Sequence, residues 1–190
     1  MIQKIILQND AKKYLFGMIF GPKALIGVLG REVVMPNGIK KRDGFGQRPV
    51  SHVKVIAVAR SWLGTPYHDQ ASLRGVGCDC LGLARGVWRE VAGPEPFPIP
   101  PYSRDWGETG PREVLAEGAG AMMIEVPPAE VGPGALVLFR MMPRAIAKHV
   151  GVLTGPETFL HANERLGMIE EPLTNAWRRR IAFAFLFPQR

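Results

Sequence analysis

The sequence predicts an α+β domain. Three observations carry that reading. Apolar residues at helical spacing come early in the chain, strand-like apolar runs come late, and the late runs meet at a Gly-Pro turn of the kind that joins antiparallel strands. The 190 residues suffice for one domain with a proper core, or for a domain plus an appendage.

Taken in order, Val53 to Trp62 reads as a helix, with Val55, Val58, Ala59 and Trp62 on one face. Gly64-Thr65-Pro66-Tyr67 ends it, and 68–77 reads as a loop. The central helix spans 80–92. Leu81, Ala84, Trp88 and Val91 recur at three- and four-residue steps, with Leu83 and Val87 beside them. More than one apolar stripe places this helix in the core, its N-terminus facing a cleft. Residues 93–101 are rich in Pro and cannot be regular, and Pro111 to Glu117 reads as a short helix. Ala135 to Arg140 is an apolar strand entered through Gly132-Pro133-Gly134. Lys148 to Thr154 and Thr158 to Ala162 follow as strands, then a helical turn from Thr174 to Arg179 and a last strand from Ile181 to Phe187. The expected sheet is antiparallel, with about five strands.

The first fifty residues stand apart. Tyr14 to Gly30 is apolar and follows Lys12-Lys13, but Pro22 and Lys23 interrupt it and no small-residue cleavage site follows. Residues 1–50 are therefore expected to be an arm or extension rather than a signal peptide, with 36–50 a linker or loop. The main domain is expected over 51–190. No stretch reaches membrane-spanning length, so no membrane span is expected.

Lys and Arg number 24 against 17 Asp and Glu, for a net charge of +7, which favours an anionic partner. The basic residues are scattered. No ladder of alternating aromatic and basic residues is present, so nucleic acid is not the expected partner.

The chemistry centres on Gly77-Cys78-Asp79-Cys80-Leu81-Gly82-Leu83. Asp79 is a good N-cap, which puts Cys80 in the first helical turn. Unpaired backbone N–H groups and the positive helix end there favour thiolate over thiol. Cys78 reads as a filler of the loop before the helix. Two of the four histidines, His149 and His161, lie in strand-like sequence around Gly155-Pro156. An odd-numbered loop centred on Gly155 would set them directly opposite on one face, Cβ atoms about 5 Å apart. A two-residue loop would put them on opposite faces. With the odd loop, His149 takes the thiol proton and His161 holds the other ring nitrogen. The bland readings are a cysteine that only fills space and histidines that are only hydrogen-bonded strand residues. A zinc site from Cys78, Cys80, His149 and His161 fits poorly, because Cys-x-Cys is tighter than the usual ligand spacing. No metal and no cofactor are expected.

The ordered set Gly64-Thr65-Pro66-Tyr67, Gly77 to Leu83, Lys148-His149-Val150-Gly151-Val152 and Phe159-Leu160-His161-Ala162 resembles the NlpC/P60 family of cell-wall cysteine peptidases. Arg85 to Arg89, Pro101-Tyr102 with Asp105-Trp106, and Trp177 to Ile181 with Phe187-Pro188 resemble the subgroup carried by tailed phages and gene transfer agents. The similarity covers roughly 51–190. It implies a papain-like fold and hydrolysis of an amide in peptidoglycan stem peptides, typically between D-glutamate and a diamino acid. It implies Cys80 as nucleophile, His149 as base, His161 as orienting residue, and Tyr67 and Asp79 as substrate-cleft residues, Asp79 serving equally as a helix cap. It further implies action at the bacterial cell wall from a particle tail, after synthesis in the cytoplasm, with residues 1–50 docking on other tail or baseplate proteins. The rival is a structural tail protein whose activity is lost or masked. The departures are His68-Asp69-Gln70 where many members have Trp-Gly-Gly, Leu81 where serine is common after the nucleophile, and Ala135 where aspartate is common.

Overall fold

The computed structural model describes residues 32–34, 40–42, 48–99, 101–102 and 112–190. The expectations for Tyr14 to Gly30, for Asp105-Trp106 and for Pro111 lie outside these residues. Within the expected linker, Lys40–Arg42 (β2) is instead a strand, paired antiparallel with Glu32–Val34 (β1). Arg48 to Val50 runs along the chain's end, Val50 N–H donating to Phe187 O at 2.7 Å and Gln189 N–H to Arg48 O at 2.8 Å.

Helix α1 (His52–Arg60) buries Val55 and Ala59, and the chain turns at Trp62, whose side chain is also buried. The loop expected over 68–77 contains a small hairpin, Ser72–Leu73 (β3) against Gly77–Cys78 (β4). Single polar contacts stabilise it, which hydrophobic periodicity does not register. Helix α2 (Cys80–Val91) then buries Gly82, Leu83, Gly86, Val87, Trp88 and Val91. Two of its glycines are close approaches. A Cβ on Gly82 would lie 1.9 Å from Ala71 O, and one on Gly86 would lie 2.0 Å from Trp62 Cζ2. After α2, residues 93–99 are irregular, as the prolines demand. Arg85 and Arg89 both clasp Glu95, at 2.8 and 2.5 Å.

Helix α3 is Val114–Gly120, three residues later than expected. Ala116 and Ala119 are its buried positions, and it packs on the last strand near Phe185. Packing at three-residue spacing decides its limits over the weak helical tendency of its glycines. The main sheet has six strands rather than five: Ile124–Val126 (β5), Leu136–Phe139 (β6), His149–Leu153 (β7), Thr158–Asn163 (β8), Gly167–Pro172 (β9) and Ile181–Leu186 (β10). Their order is β5-β10-β6-β7-β8-β9, all antiparallel. A four-residue helix, α4 (Asn175–Arg178), capped by Thr174, connects β9 to β10.

Both sheet faces are covered, which explains why β6 is buried at all four positions. On one face α1 and α2 pack over Leu136, Leu138, Val150, Val152 and Leu160. On the other, Val137, Phe139, Leu153, Phe159 and Ala184 pack with Leu173 and Trp177.

Candidate active site

Asp79 adopts the extended conformation of an N-cap and its Oδ1 accepts the Gly82 N–H at 2.6 Å. That starts α2 at Cys80. Asp79 Oδ2 accepts the Gln70 N–H at 2.8 Å and the Tyr102 O–H at 2.5 Å. The carboxylate is only 4% exposed. Both oxygens are engaged inside the protein, and Asp79 caps the helix, as expected, and pins two loops. Gln70 has a left-handed φ of 62°, a conformation its bond to Asp79 holds in place.

Cys80 Sγ lies in the first turn, partly buried, 3.9 Å from Lys148 O. The backbone N–H groups of Cys80, Leu81 and Val150 point at the sulfur and pull its pKa down. Burial, and then the Asp79 charge, act the other way and win, leaving the thiol pushed up to about 12. The balance thus favours the thiol, against the pull of the helix start toward thiolate. Helix-end donors are present, but they act on a desolvated sulfur beside a carboxylate. Cys78 is fully buried, donates to Asp79 O at 3.2 Å and is likewise raised to about 12, chiefly by burial.

The histidines share one face, but not as direct opposites. The register pairs Gly151 with His161, so His149 sits two residues off, on the diagonal. Thr154 N–H donates to Thr158 O at 3.0 Å, leaving a three-residue loop centred on Pro156 rather than Gly155. The loop is odd-numbered as required, but its centre is displaced by one residue. Aromatic rings span such a diagonal. His149 Nε2 and His161 Nδ1 are 2.9 Å apart, the rings nearly perpendicular with centroids 5.1 Å apart. Burial first, and then its partner His161, lowers the pKa of His149 to about 3. Burial also lowers His161, with Glu171 opposing. Both shifts favour the neutral imidazole.

The rings lie on the sheet face that carries Phe139 and Phe159, whereas α2 covers the other face. Cys80 and the His149 ring therefore approach the start of β7 from opposite sides of the sheet. There the sulfur lies against the main chain on both sides of His149, at Lys148 O and Val150 N–H. With Nε2 turned to His161, Nδ1 is the other ring nitrogen of His149.

Trp177 completes the site from α4. Its ring stacks on His149 at 6.0 Å and 29°, and meets His161 at 5.4 Å. It shields the bond between the two imidazoles, and Arg180 lies over the Trp177 ring at 5.4 Å. Tyr67, half-buried, forms a bridge to Cys78 and donates its O–H to Asp69 Oδ1 at 2.7 Å. Asp69 and Gln70, two of the departing residues, are thus holding positions, and His68 is an exposed loop residue. Spacing arguments missed Tyr102, Trp177 and Glu171. Tyr102 and Trp177 stood within quoted motifs without a role, and Glu171 lay in a strand that was not expected. Among the described residues, no three His, Cys, Asp or Glu side chains gather to hold a metal ion.

The model of the NlpC/P60 family matches residues 64–185, which takes in the helix-start cysteine and both histidines. The chain belongs to the NlpC/P60 family. No curated protein matches it. Among solved structures, the NlpC/p60 domain of the peptidoglycan hydrolase SagA is 20% identical, with a TM-score of 0.51, covering 72% of this chain and 98% of that one. An NlpC/P60 protein from Bacillus cereus ATCC 10987 is 19% identical at 0.51, covering 87% of this chain and 53% of that one. A lipoprotein-like NLP/P60 protein from Staphylococcus aureus subsp. aureus Mu50 is 18% identical at 0.52, covering 76% and 45%. This chain thus spans about half the length of the last two. These likenesses show the NlpC/P60 papain-like fold.

Proposed function

We propose that this protein is a cysteine peptidase that hydrolyses an amide bond in peptidoglycan stem peptides. The observation that carries the reading is the bonded pair His149 Nε2 and His161 Nδ1, 2.9 Å apart at the strand end where Cys80 Sγ lies. In the reaction His149 Nδ1 takes the thiol proton as sulfur attacks the amide carbon. The Cys80 N–H, in the first turn of α2, offers a donor to the resulting oxyanion; losing one such donor costs about 2.7–4 kcal/mol of barrier. The C–N bond breaks, the amine leaves with the proton from His149, and a thioester remains. His149 then deprotonates water, which attacks the thioester and frees the carboxylate and the thiol.

Family membership and the fold shared with the SagA domain support a cell-wall substrate. The bond between D-glutamate and a diamino acid, and service in the tail or baseplate of a phage or gene transfer agent, rest on the sequence motifs described above. Residues 1–50 serve as the docking arm in that reading, and 51–190 as the peptidase domain. A second reading keeps the fold as a tail component with masked activity. The raised pKa of the Cys80 thiol favours a quiescent resting state. Incubation of purified sacculi with the chain separates the two. New stem-peptide ends identified by mass spectrometry support the peptidase, while particle-bound protein that releases nothing, even once freed, supports the scaffold.

A further inference from the structure

We propose that Glu171 is a positioning residue that sets the tautomers of the His161–His149 pair and so frees the lone pair of His149 Nδ1 for the thiol. The inference rests on the peptidase reading above. Across β8 and β9 the register pairs His161 with Ile169, so Glu171 stands two residues off on the same face. His149 stands in the same diagonal relation to His161 across β7 and β8. Three side chains thus form one diagonal stripe over three neighbouring strands.

The ends of the stripe give it direction. His161 is 4% exposed, and its Nε2 is buried without a hydrogen bond while lying 3.5 Å from Glu171 Oε2. The bond between the imidazoles has two possible senses, since either ring supplies the proton. If His161 Nδ1 carried it, the unprotonated Nε2 of His161 would set a lone pair against the Glu171 carboxylate. His149 would then hold its own proton on Nδ1 and could not act as base. If His149 Nε2 carries it, the proton on His161 Nε2 faces a carboxylate oxygen 3.5 Å away rather than a lone pair doing so, and His149 Nδ1 is bare. A carboxylate at the far end selects the second arrangement.

Other charges near the stripe are engaged elsewhere. Glu170, adjacent in β9, faces the other way and pairs with Arg60 at 2.7 Å. Arg178 of α4 pairs with Glu157 at 2.7 Å, and Arg180 lies over Trp177. Because β9 is the sheet's edge strand and the Glu171 side chain is 33% exposed, its replacement does not threaten the core.

The test uses the full chain labelled with nitrogen-15 histidine, whose four residues make the spectrum tractable. Wild type should show His149 protonated on Nε2 and bare on Nδ1, with His161 protonated on Nε2. Glu171→Ala should populate the opposite tautomers and slow iodoacetamide alkylation of Cys80 at pH 7 at least tenfold. Glu171→Asp should recover part of the rate. Wall hydrolysis should fall in kcat with KM little changed. Tautomers and alkylation rate both unchanged in Glu171→Ala would overturn the role of Glu171. Tautomers that shift as described in a chain that cuts no wall material would uphold it and refute the peptidase reading instead.

Discussion

Cys80 is held between opposing influences. Three backbone N–H groups stabilise its thiolate, while burial and Asp79 oppose it more strongly. In the proposed reaction, nucleophilic attack then depends on proton transfer to His149 rather than on a thiolate waiting beforehand. Alkylation of Cys80 by iodoacetamide should keep rising with pH above 9 toward the thiol's value of about 12. A rate already level by pH 7 would show a preformed ion pair. His149 also makes stability depend on pH. Its value is lowered from 6.5 to about 3 on folding, so the unfolded chain binds the extra proton between those values. This contribution to stability is complete above about pH 6.5 and is lost as pH falls toward 3. His149→Ala should flatten the acid side of a denaturant-midpoint profile, and an unchanged slope would contradict the assignment. Cys78, whose buried thiol donates to the Asp79 carbonyl, should tolerate alanine with most wall hydrolysis retained.

At the scale of elements, α2 is placed by contacts too tight to adjust. Gly82→Ala and Gly86→Ala would drive a methyl into Ala71 O and the Trp62 ring, and each should cost about 1–3 kcal/mol in chemical denaturation. Gly118, inside α3 with open space around it, should gain about 0.4–1 kcal/mol on becoming alanine. A loss at Gly118 as large as at Gly82 would mean that contact distance is not the cause. Asp79→Ala removes the cap and strands two further donors, a loss of roughly 2–4 kcal/mol. The sequence revealed α1, α2, β6, β7, β8, α4 and β10, because each either buries an apolar pattern or begins at a capping side chain. It did not reveal β5 and β9, the two edges of the sheet. Ile124-Glu125-Val126 is short and followed by Pro127-Pro128, and β9 carries Glu170-Glu171-Pro172. Edge strands have one neighbour and a wet side, so charge and proline are tolerated there and the apolar alternation is lost.

For the whole molecule, the candidate trio was legible as residues but not as geometry. Spacing around Gly155 and Pro156 left the shared face of the histidines conditional on an odd-numbered loop; the three-residue loop supplies it, and its one-residue displacement converts opposition to a diagonal. The resting thiol was hidden because it depends on burial, which no local pattern encodes. The net charge of +7 bears on encounter with an anionic wall. Hydrolysis should slow as ionic strength rises from about 0.01 to 0.15 M, where the screening length shrinks from roughly 30 to 8 Å. A flat response would remove charge from the account of approach. In the proposed reaction Cys80 performs the attack with His149 as its base. Muropeptide mass spectrometry on sacculi treated in parallel with wild type, Cys80→Ala and His149→Ala tests it most directly. Stem peptides cleaved with gain of one water should appear with wild type alone. Equal cleavage by Cys80→Ala would contradict it.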